Sequence, residues 1–170
     1  MTSSAEEVHL RALEPEDLEL IYQIENDTTF WRHGASTVPY SRYALRQYLS
    51  AAQNDIYADG QVRLVIEAGG EAIGLADLTN FDAIHLRAEI GLIILPEHQG
   101  RHVGHAAVRL LCDYARRLHL HQIYAIIAVT NEPATRLFKS LAFEASAVLR
   151  EWLRGEGDDF IDAIVWQKRF

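Results

Sequence analysis

The chain has 170 residues, of which 49% are hydrophobic and 24% charged, which excludes a disordered chain and fits a single domain over residues 1–170. Its formal net charge of -8 argues against a nucleic-acid backbone as a partner. The lone cysteine, Cys112, excludes an internal disulfide, and neither a signal peptide nor a membrane-spanning apolar run is evident, so we expect a cytoplasmic protein without a membrane partner.

The first part of the chain predicts a strand, a helix, a loop and a second helix. Residues 8–13 read as a strand, and the proline and acidic residues of 14–17 are typical of a helix start. Residues 26–39 contain glycine and proline breakers and predict a loop. Apolar residues at helical spacing predict the second helix over residues 41–52.

The remaining elements define the fold class. Two strands over residues 62–68 and 72–78 flank a Gly69-Gly70 hairpin turn, and a third strand is predicted over residues 83–95. The following pattern predicts a helix over 104–118, a strand over 122–129, a helix over 132–141 and strands over 147–154 and 160–167. The result is an α/β fold, with a mixed, mostly antiparallel sheet of about seven strands and about four flanking helices.

The turn after the third strand predicts a phosphate site. An apolar strand ends at Pro96, and a helix begins near Gly104. A helix start offers unpaired N–H groups and the positive end of the helix dipole. Gly100 and Gly104 let the backbone approach an anion closely, and Arg101 adds charge. A turn that needs glycine only for its shape is the alternative, and these residues alone leave both open.

The same segment resembles the acetyl-CoA signature of the GNAT acetyltransferase superfamily, Gln/Arg-x-x-Gly-x-Gly/Ala. Gln99 fits the first position and Gly104 the last, whereas His102 replaces the middle glycine. The resemblance covers nearly the whole chain and is nearest to the spermidine N-acetyltransferase and ribosomal-protein N-acetyltransferase branches. It rests further on Val8-x-Leu-Arg-Ala-Leu-Glu-x-x-Asp-Leu, Ile84-His-x-Arg-Ala-Glu89, Asp113-Tyr-Ala, Asn131-Glu-x-Ala134 and the spacing to Phe143.

The resemblance implies a GNAT fold and an acetyl-CoA-dependent N-acetyltransferase. It places the pantetheine arm along a strand and the pyrophosphate at the turn. Asn131 would bind the cofactor or cap a helix. Phe138 stands where the family has a proton-donating tyrosine, so its ring is expected to pack in a helix. The cofactor-binding residues implied are Leu92, Ile93, Ile94, Gln99, Gly100, Arg101, His102, Val103, Gly104, His105, Asn131 and Phe138.

The attacking amine must lose a proton, which a carboxylate can accept directly or through water. Glu89 is the first candidate base, because it interrupts an apolar strand just before the segment assigned to the pantetheine. Asp77 on the preceding strand is the second candidate. The alternative for Glu89 is an ion pair with Arg87 or a neighbour.

The acceptor and the assembly are less defined by the sequence. Carboxylates and aromatic rings suit a flexible cation such as spermidine, and Glu25, Asp27, Trp31 and Tyr40 are the candidates. The loop over residues 34–40 lacks the acidic pair of the spermidine branch. A ribosomal-type N-terminal acetyltransferase and a catalytically weak acyl-CoA-binding module therefore stay open. The resemblance suggests a homodimer or larger homo-oligomer, and the histidines lack partners for a metal site.

Overall fold

The structure is a computed structural model that describes residues 7–31, 38–100 and 102–170, without the side chains of residues 30 and 31. Short 3-10 turns lie at Pro15–Asp17 and Pro96–His98. The helices are α1 (Leu18–Asn26), α2 (Thr28–Trp31), α3 (Arg42–Ala51), α4 (Ile56–Asp59), α5 (Val103–Arg117) and α6 (Glu132–Ser140). The strands are β1 (Val8–Ala12), β2 (Val62–Ala68), β3 (Glu71–Asp82), β4 (Arg87–Ile94), β5 (Gln122–Ala128), β6 (Glu144–Arg154) and β7 (Phe160–Arg169).

All seven strands form one sheet in the order β1-β2-β3-β4-β5-β7-β6. The pairs are antiparallel except β4 with β5, which α5 connects in the parallel sense. The predicted mixed, mostly antiparallel sheet is therefore confirmed. In the part of the chain that the structure describes, four helices exceed one turn, as expected, and the short α2 and α4 are additional.

Helices cover both faces of the sheet. On one face α5 and α6 pack on the strands through buried residues that include Ile66, Leu78, Ile90, Leu111 and Phe138. On the other face, Ile24 of α1 packs against Val65 and Leu75, and α1 contacts α3 through Ile21 and Leu45. Among the described residues, none of the helices has the length and apolar character needed to cross a bilayer.

The strand predicted over residues 83–95 is wrong at its start. The preceding strand, β3, continues to Asp82. The side chain of Asp82 accepts hydrogen bonds from the backbone N–H groups of Ile84 (3.0 Å) and His85 (2.9 Å). Those bonds turn the chain, because an aspartate carboxylate competes with strand pairing for nearby N–H groups. The next strand, β4, therefore begins only at Arg87.

The middle of the sheet is open. Strands β4 and β5 pair only from Arg87 to Glu89, opposite Gln122 to Tyr124. Beyond that point β5 continues along β7 as far as Ala128, whereas β4 keeps only its pairing with β3. Residues 91–94 are consequently half-buried although β4 is the central strand of the sheet. Beyond Glu89 and Tyr124 the two strands are not paired, which leaves an opening between their C-terminal parts.

Gly74 on β3 keeps β4 in place beside this opening. A Cβ atom at Gly74 would lie 2.2 Å from the carbonyl oxygen of Ile93, so Gly74→Ala must push the strands apart. We expect it to lower the free energy of unfolding by about 1–3 kcal/mol, measured by urea denaturation. Gly91→Ala is the control, because its nearest contact is 3.5 Å, to Cβ of Asp77. Equal losses in the two variants would contradict the prediction.

Candidate active site

The turn between β4 and α5 presents an uncapped helix start. Gly100 has φ +77°, and His102, the N-cap residue of α5, has φ +59°. No side chain among the described residues caps this helix. The N–H groups of its first turn therefore point out of the helix without intrahelical partners, beside the positive end of the helix dipole. Such a turn binds an anion through the backbone.

His102 adopts the conformation that a glycine would adopt at the same place. A side chain in the left-handed region costs about 1–2 kcal/mol. His102 therefore keeps a glycine-like backbone at a cost in strain, and its side chain is exposed. Arg101, the charged residue expected beside it, lies outside the described residues.

Close packing holds the turn against the sheet. The Gln99 side chain donates to the carbonyl oxygen of Ile94 (2.9 Å), which fastens the turn to the end of β4. A Cβ atom at Gly104 would lie 3.4 Å from Cδ2 of Leu137 and 3.5 Å from Cδ1 of Ile94. Val103 is buried, and His105 is exposed on the outer side of the first turn. Gln99 thus stabilises the turn through its side chain.

The histidines near the turn differ in burial, since His98 is half-buried. His98 lies 3.9 Å from a carboxylate oxygen of Glu71, whereas His102 and His105 are exposed. Within residues 7–31, 38–100 and 102–170, no three His, Cys, Asp or Glu side chains converge as a metal site would require.

Glu89 lies where β4 and β5 diverge. It is paired in register with Thr79 on β3 and with Tyr124 on β5. Its carboxylate accepts a hydrogen bond of 2.7 Å from the side-chain amide of Asn80. The alternative of an ion pair with Arg87 is not observed, since Arg87 pairs with Asp82 at 3.1 Å. Glu89 thus offers a half-buried carboxylate at the closed end of the opening.

Asp77 belongs to a buried ion cluster around Arg63. Both oxygens of Asp77 accept hydrogen bonds of 3.0 Å from the Arg63 guanidinium, which also pairs with Glu25 of α1. Burial raises the pKa of Asp77, and the charge of Arg63 offsets this only in part. Burial lowers the pKa of Arg63, but the two carboxylates outweigh it. Asp77 is thereby tied to a fixed cation, which suits a structural role better than proton transfer.

The residues expected to bind the acceptor have diverse surroundings. Asp27 accepts the backbone N–H (2.8 Å) and the hydroxyl (2.7 Å) of Thr29, and these bonds, the hydroxyl first, lower the pKa of Asp27. Tyr40 is 39% exposed, and its backbone is held by the side chain of Asn26 at 2.7 and 3.0 Å. The side chain of Trp31 lies outside the described residues. The structure thus brings Glu25 to the sheet and leaves Tyr40 near the end of α1.

Asn131 and Phe138, two residues expected to bind the cofactor, have defined contacts at α6. The side chain of Asn131 accepts the N–H of Ala134 (3.1 Å), so it caps this helix. Phe138 is 6% exposed, and its ring packs edge-to-face on Phe143 with 4.8 Å between centroids. Both side chains therefore have defined structural roles in α6.

The sequence reasoning missed three residues of this region. Arg63 interrupts an apolar strand, which was a signal for a buried charge partner. Asn80 and Tyr124 gave no such signal, because their proximity to Glu89 depends on strand pairing. Burial and the negative charge of Glu89 raise the pKa of Tyr124. The hydroxyl of Tyr124 therefore stays protonated beside the carboxylate at neutral pH.

Comparison with known proteins agrees with this geometry. Residues 7–144 match a family model described as an acetyltransferase (GNAT) domain. The chain is 30% identical to the spermidine N(1)-acetyltransferase of Escherichia coli strain K12, over 98% of this chain and 90% of that protein. The crystal structure of the Vibrio cholerae spermidine N-acetyltransferase with CoA and spermine is 30% identical, with a TM-score of 0.82 and 95% of both chains covered. A dodecameric structure of that enzyme gives a TM-score of 0.79 at 30% identity, covering 95% of this chain and 93% of that chain.

The family model spans most of the chain, and the structural match extends across the sheet and its helices. The open central strand and the uncapped turn of α5 supply the backbone groups that a long, phosphate-bearing cofactor requires. The chain therefore belongs to the GNAT acetyltransferase family and is an acetyl-CoA-dependent N-acetyltransferase.

Proposed function

We propose that the protein acetylates a primary amine of a polyamine such as spermidine. The observation that carries the proposal is the carboxylate of Glu89 at the point where β4 and β5 part. The names of its relatives, a spermidine N(1)-acetyltransferase and a structure with CoA and spermine, support the polyamine as acceptor.

The cofactor would lie along the opening, with its phosphates at the turn. The first-turn N–H groups of α5, from Val103 to His105, would hold the pyrophosphate, aided by Gly100 and Arg101. The backbone of Leu92–Ile94 would pair with the pantetheine as an added strand, since β5 does not occupy that edge. N–H groups there would also stabilise the oxyanion formed during acyl transfer. Asn131 and Phe138 would border the cofactor from α6.

Glu89 would accept the proton that the attacking ammonium must lose, directly or through one water. Phe138 has no hydroxyl with which to protonate the departing sulfur. A thiol with a pKa of about 8.5 can leave as the thiolate, so transfer does not depend on that donor. Proton removal from the amine is then the step for which the protein supplies a group.

Charge on the acceptor side of the sheet favours a cation. The register places Arg63, Asp77 and Glu89 on one face, because directly paired residues point to the same side. Glu25 joins them from α1, and Arg63 pairs with Glu25 and Asp77 but not with Glu89. The excess negative charge attracts a polycation. Tyr40, Trp31 and Asp27 would then contact the part of the substrate that extends outward.

The experiment is a thiol-release assay with acetyl-CoA and a panel of spermidine, spermine, free amino acids, an aminoglycoside and short peptides. We expect turnover with the polyamines and a product acetylated at a primary amine. Turnover confined to peptides would replace the proposal with a ribosomal-type N-terminal acetyltransferase. Tight CoA binding with no turnover on any amine would indicate a catalytically weak binding module.

His102→Gly tests the placement of the pyrophosphate. Glycine adopts φ +59° without strain, although its freedom in the unfolded chain offsets part of the gain. We expect stability to rise by up to about 1 kcal/mol and CoA binding, measured by calorimetry, to be retained or tightened. Ala106→Gly, within α5, is the control and should cost about 1 kcal/mol. Weaker CoA binding in His102→Gly would show that the imidazole itself contacts the cofactor.

A homo-oligomer is also proposed, on the dodecameric structure of the Vibrio cholerae enzyme and on the surface of β6. This edge strand has eleven residues, and nine of them are exposed. Trp152 of β6 and Phe160 of the neighbouring β7 are each 57% exposed, and Val148 of β6 is 50% exposed. A long edge strand with large apolar side chains invites pairing or packing with another chain, which makes β6 the proposed contact.

A further inference from the structure

Strand β3 is irregular directly opposite Glu89. Thr79 pairs with Glu89 and Asp82 pairs with Arg87, so Asn80 and Phe81 together oppose a single residue of β4. Asn80 has φ +49°, in the left-handed region that side chains rarely adopt. Bulges of this kind occur next to active sites, where they redirect a side chain. Here the redirected side chain is that of Asn80.

Other contacts hold this bulge in place without the Asn80 amide. The N–H of Phe81 donates to the carbonyl oxygen of Gly60 (3.2 Å), and its ring packs edge-to-face on Tyr57 at 4.9 Å. Asp82 fixes the following turn through backbone N–H groups. The side chain of Asn80 is exposed and hydrogen-bonds Glu89 at 2.7 Å. Backbone strain persists where the surrounding structure holds the residue in place, and such strained residues are typical of functional sites.

We propose that Asn80 is a positioning residue for Glu89, which rests on the role of Glu89 proposed above. The amide N–H donates to Oε2 of Glu89 and so fixes one of the two carboxylate oxygens. The other oxygen is thereby directed toward the approaching ammonium. A glutamate has three side-chain torsions, and holding it in one orientation shortens the search for the geometry of proton transfer.

Asn80→Gly separates this role from a structural one. Glycine takes φ +49° freely, so thermal stability should stay the same or rise, while the hydrogen bond to Glu89 is lost. We expect kcat for spermidine to fall about tenfold to a hundredfold, with KM for acetyl-CoA unchanged. Asn54→Gly is the matched control, because Asn54 has φ +54° between α3 and α4. It should leave kcat unchanged.

The double variant Asn80→Gly with Glu89→Gln completes the test. If Asn80 acts through Glu89, adding Asn80→Gly to Glu89→Gln should change kcat by less than about twofold. If Asn80→Gly lowered kcat equally in wild type and in Glu89→Gln, the inference about Asn80 would be overturned while Glu89 remained the base. Full activity of Asn80→Gly, with Glu89→Gln still slow, would have the same meaning. Full activity of Glu89→Gln would overturn the base assignment and this inference with it.

Discussion

Replacing Arg63 with methionine is expected to lower the free energy of unfolding at neutral pH by about 3–5 kcal/mol. The guanidinium is the cation for two carboxylates, with bidentate bonds of 3.0 Å to Asp77 and an ion pair to Glu25. Methionine fills much of the volume but leaves negative charge buried between α1, β2 and β3. Urea denaturation of wild type and variant measures the loss.

The loss should depend on pH with a defined sign. Burial already raises the pKa of Asp77 above its ordinary 3.8, and removing Arg63 takes away the charge that opposes this shift. A carboxyl whose native pKa lies above its unfolded pKa stabilises the fold when protonated, and that stability is lost as the pH rises through the native pKa. The difference in the free energy of unfolding between wild type and Arg63→Met should therefore become smaller as the pH falls from about 7 toward about 4.

Arg136→Met is the control for this experiment. Arg136 pairs with Glu132 one helical turn away at 3.3 Å, and the two side chains are 70% and 79% exposed. Exposed pairs of this spacing contribute about 0.3–0.5 kcal/mol, so the control should be nearly neutral. If Arg63→Met lowered the free energy of unfolding as little as Arg136→Met does, the prediction would be wrong. Water would then solvate the charges of the cluster despite their burial.

Local patterns predicted the elements whose residues carry their own signals. The strand over residues 62–68 was predicted with its observed limits, since it is apolar and ends at a Gly69-Gly70 turn. The helix predicted over residues 41–52 begins after Ser41, whose side chain caps it. The turn from Gln99 to Gly104 was predicted to be a phosphate site, because helix starts bind anions and because its motif resembles the acetyl-CoA signature of the GNAT superfamily. These features depend on neighbours in sequence.

The features that the sequence did not predict depend on distant contacts. The bulge at Asn80 needs Gly60 and Tyr57 to anchor Phe81, twenty residues or more away along the chain. Strand β6 begins three residues earlier than predicted, at Glu144, because an exposed edge strand lacks the alternation that marks a half-buried one. The divergence of β4 from β5 is likewise a property of the assembled sheet, so the position of Glu89 in it had to be observed.

Glu89→Gln is expected to lower kcat for spermidine by about 10²–10⁴-fold while leaving the affinity for CoA and the fold unchanged. Glutamine keeps the size of the side chain and can still accept the hydrogen bond from Asn80 through its carbonyl oxygen. It cannot take up the ammonium proton. Steady-state kinetics with calorimetric CoA titration and a melting curve measure all three quantities.

The pH dependence of this variant gives an independent signature. Without a base in the site, transfer depends on amine that is already neutral. The fraction of the substrate amine that is neutral rises about tenfold per pH unit below the amine pKa of about 10. The rate of Glu89→Gln should therefore climb with pH and approach that of wild type in alkaline solution. A variant that stays slow at every pH would show that Glu89 binds the substrate without accepting its proton.

Asp77→Asn distinguishes the two carboxylates that the sequence proposed as the base. Asparagine breaks the bidentate pair with Arg63, so this variant should lose stability, yet its folded fraction should turn over at close to the wild-type kcat. The opposite pattern, with a stable but inactive Asp77→Asn and an active Glu89→Gln, would transfer the role to Asp77. Gly91 is paired with Asp77 and follows Glu89 by two residues on β4, so no side chain at position 91 stands between the two carboxylates. What separates them is the guanidinium: Asp77 is bound to a fixed cation, whereas Glu89 accepts a hydrogen bond from a neutral amide, which does not neutralise its charge.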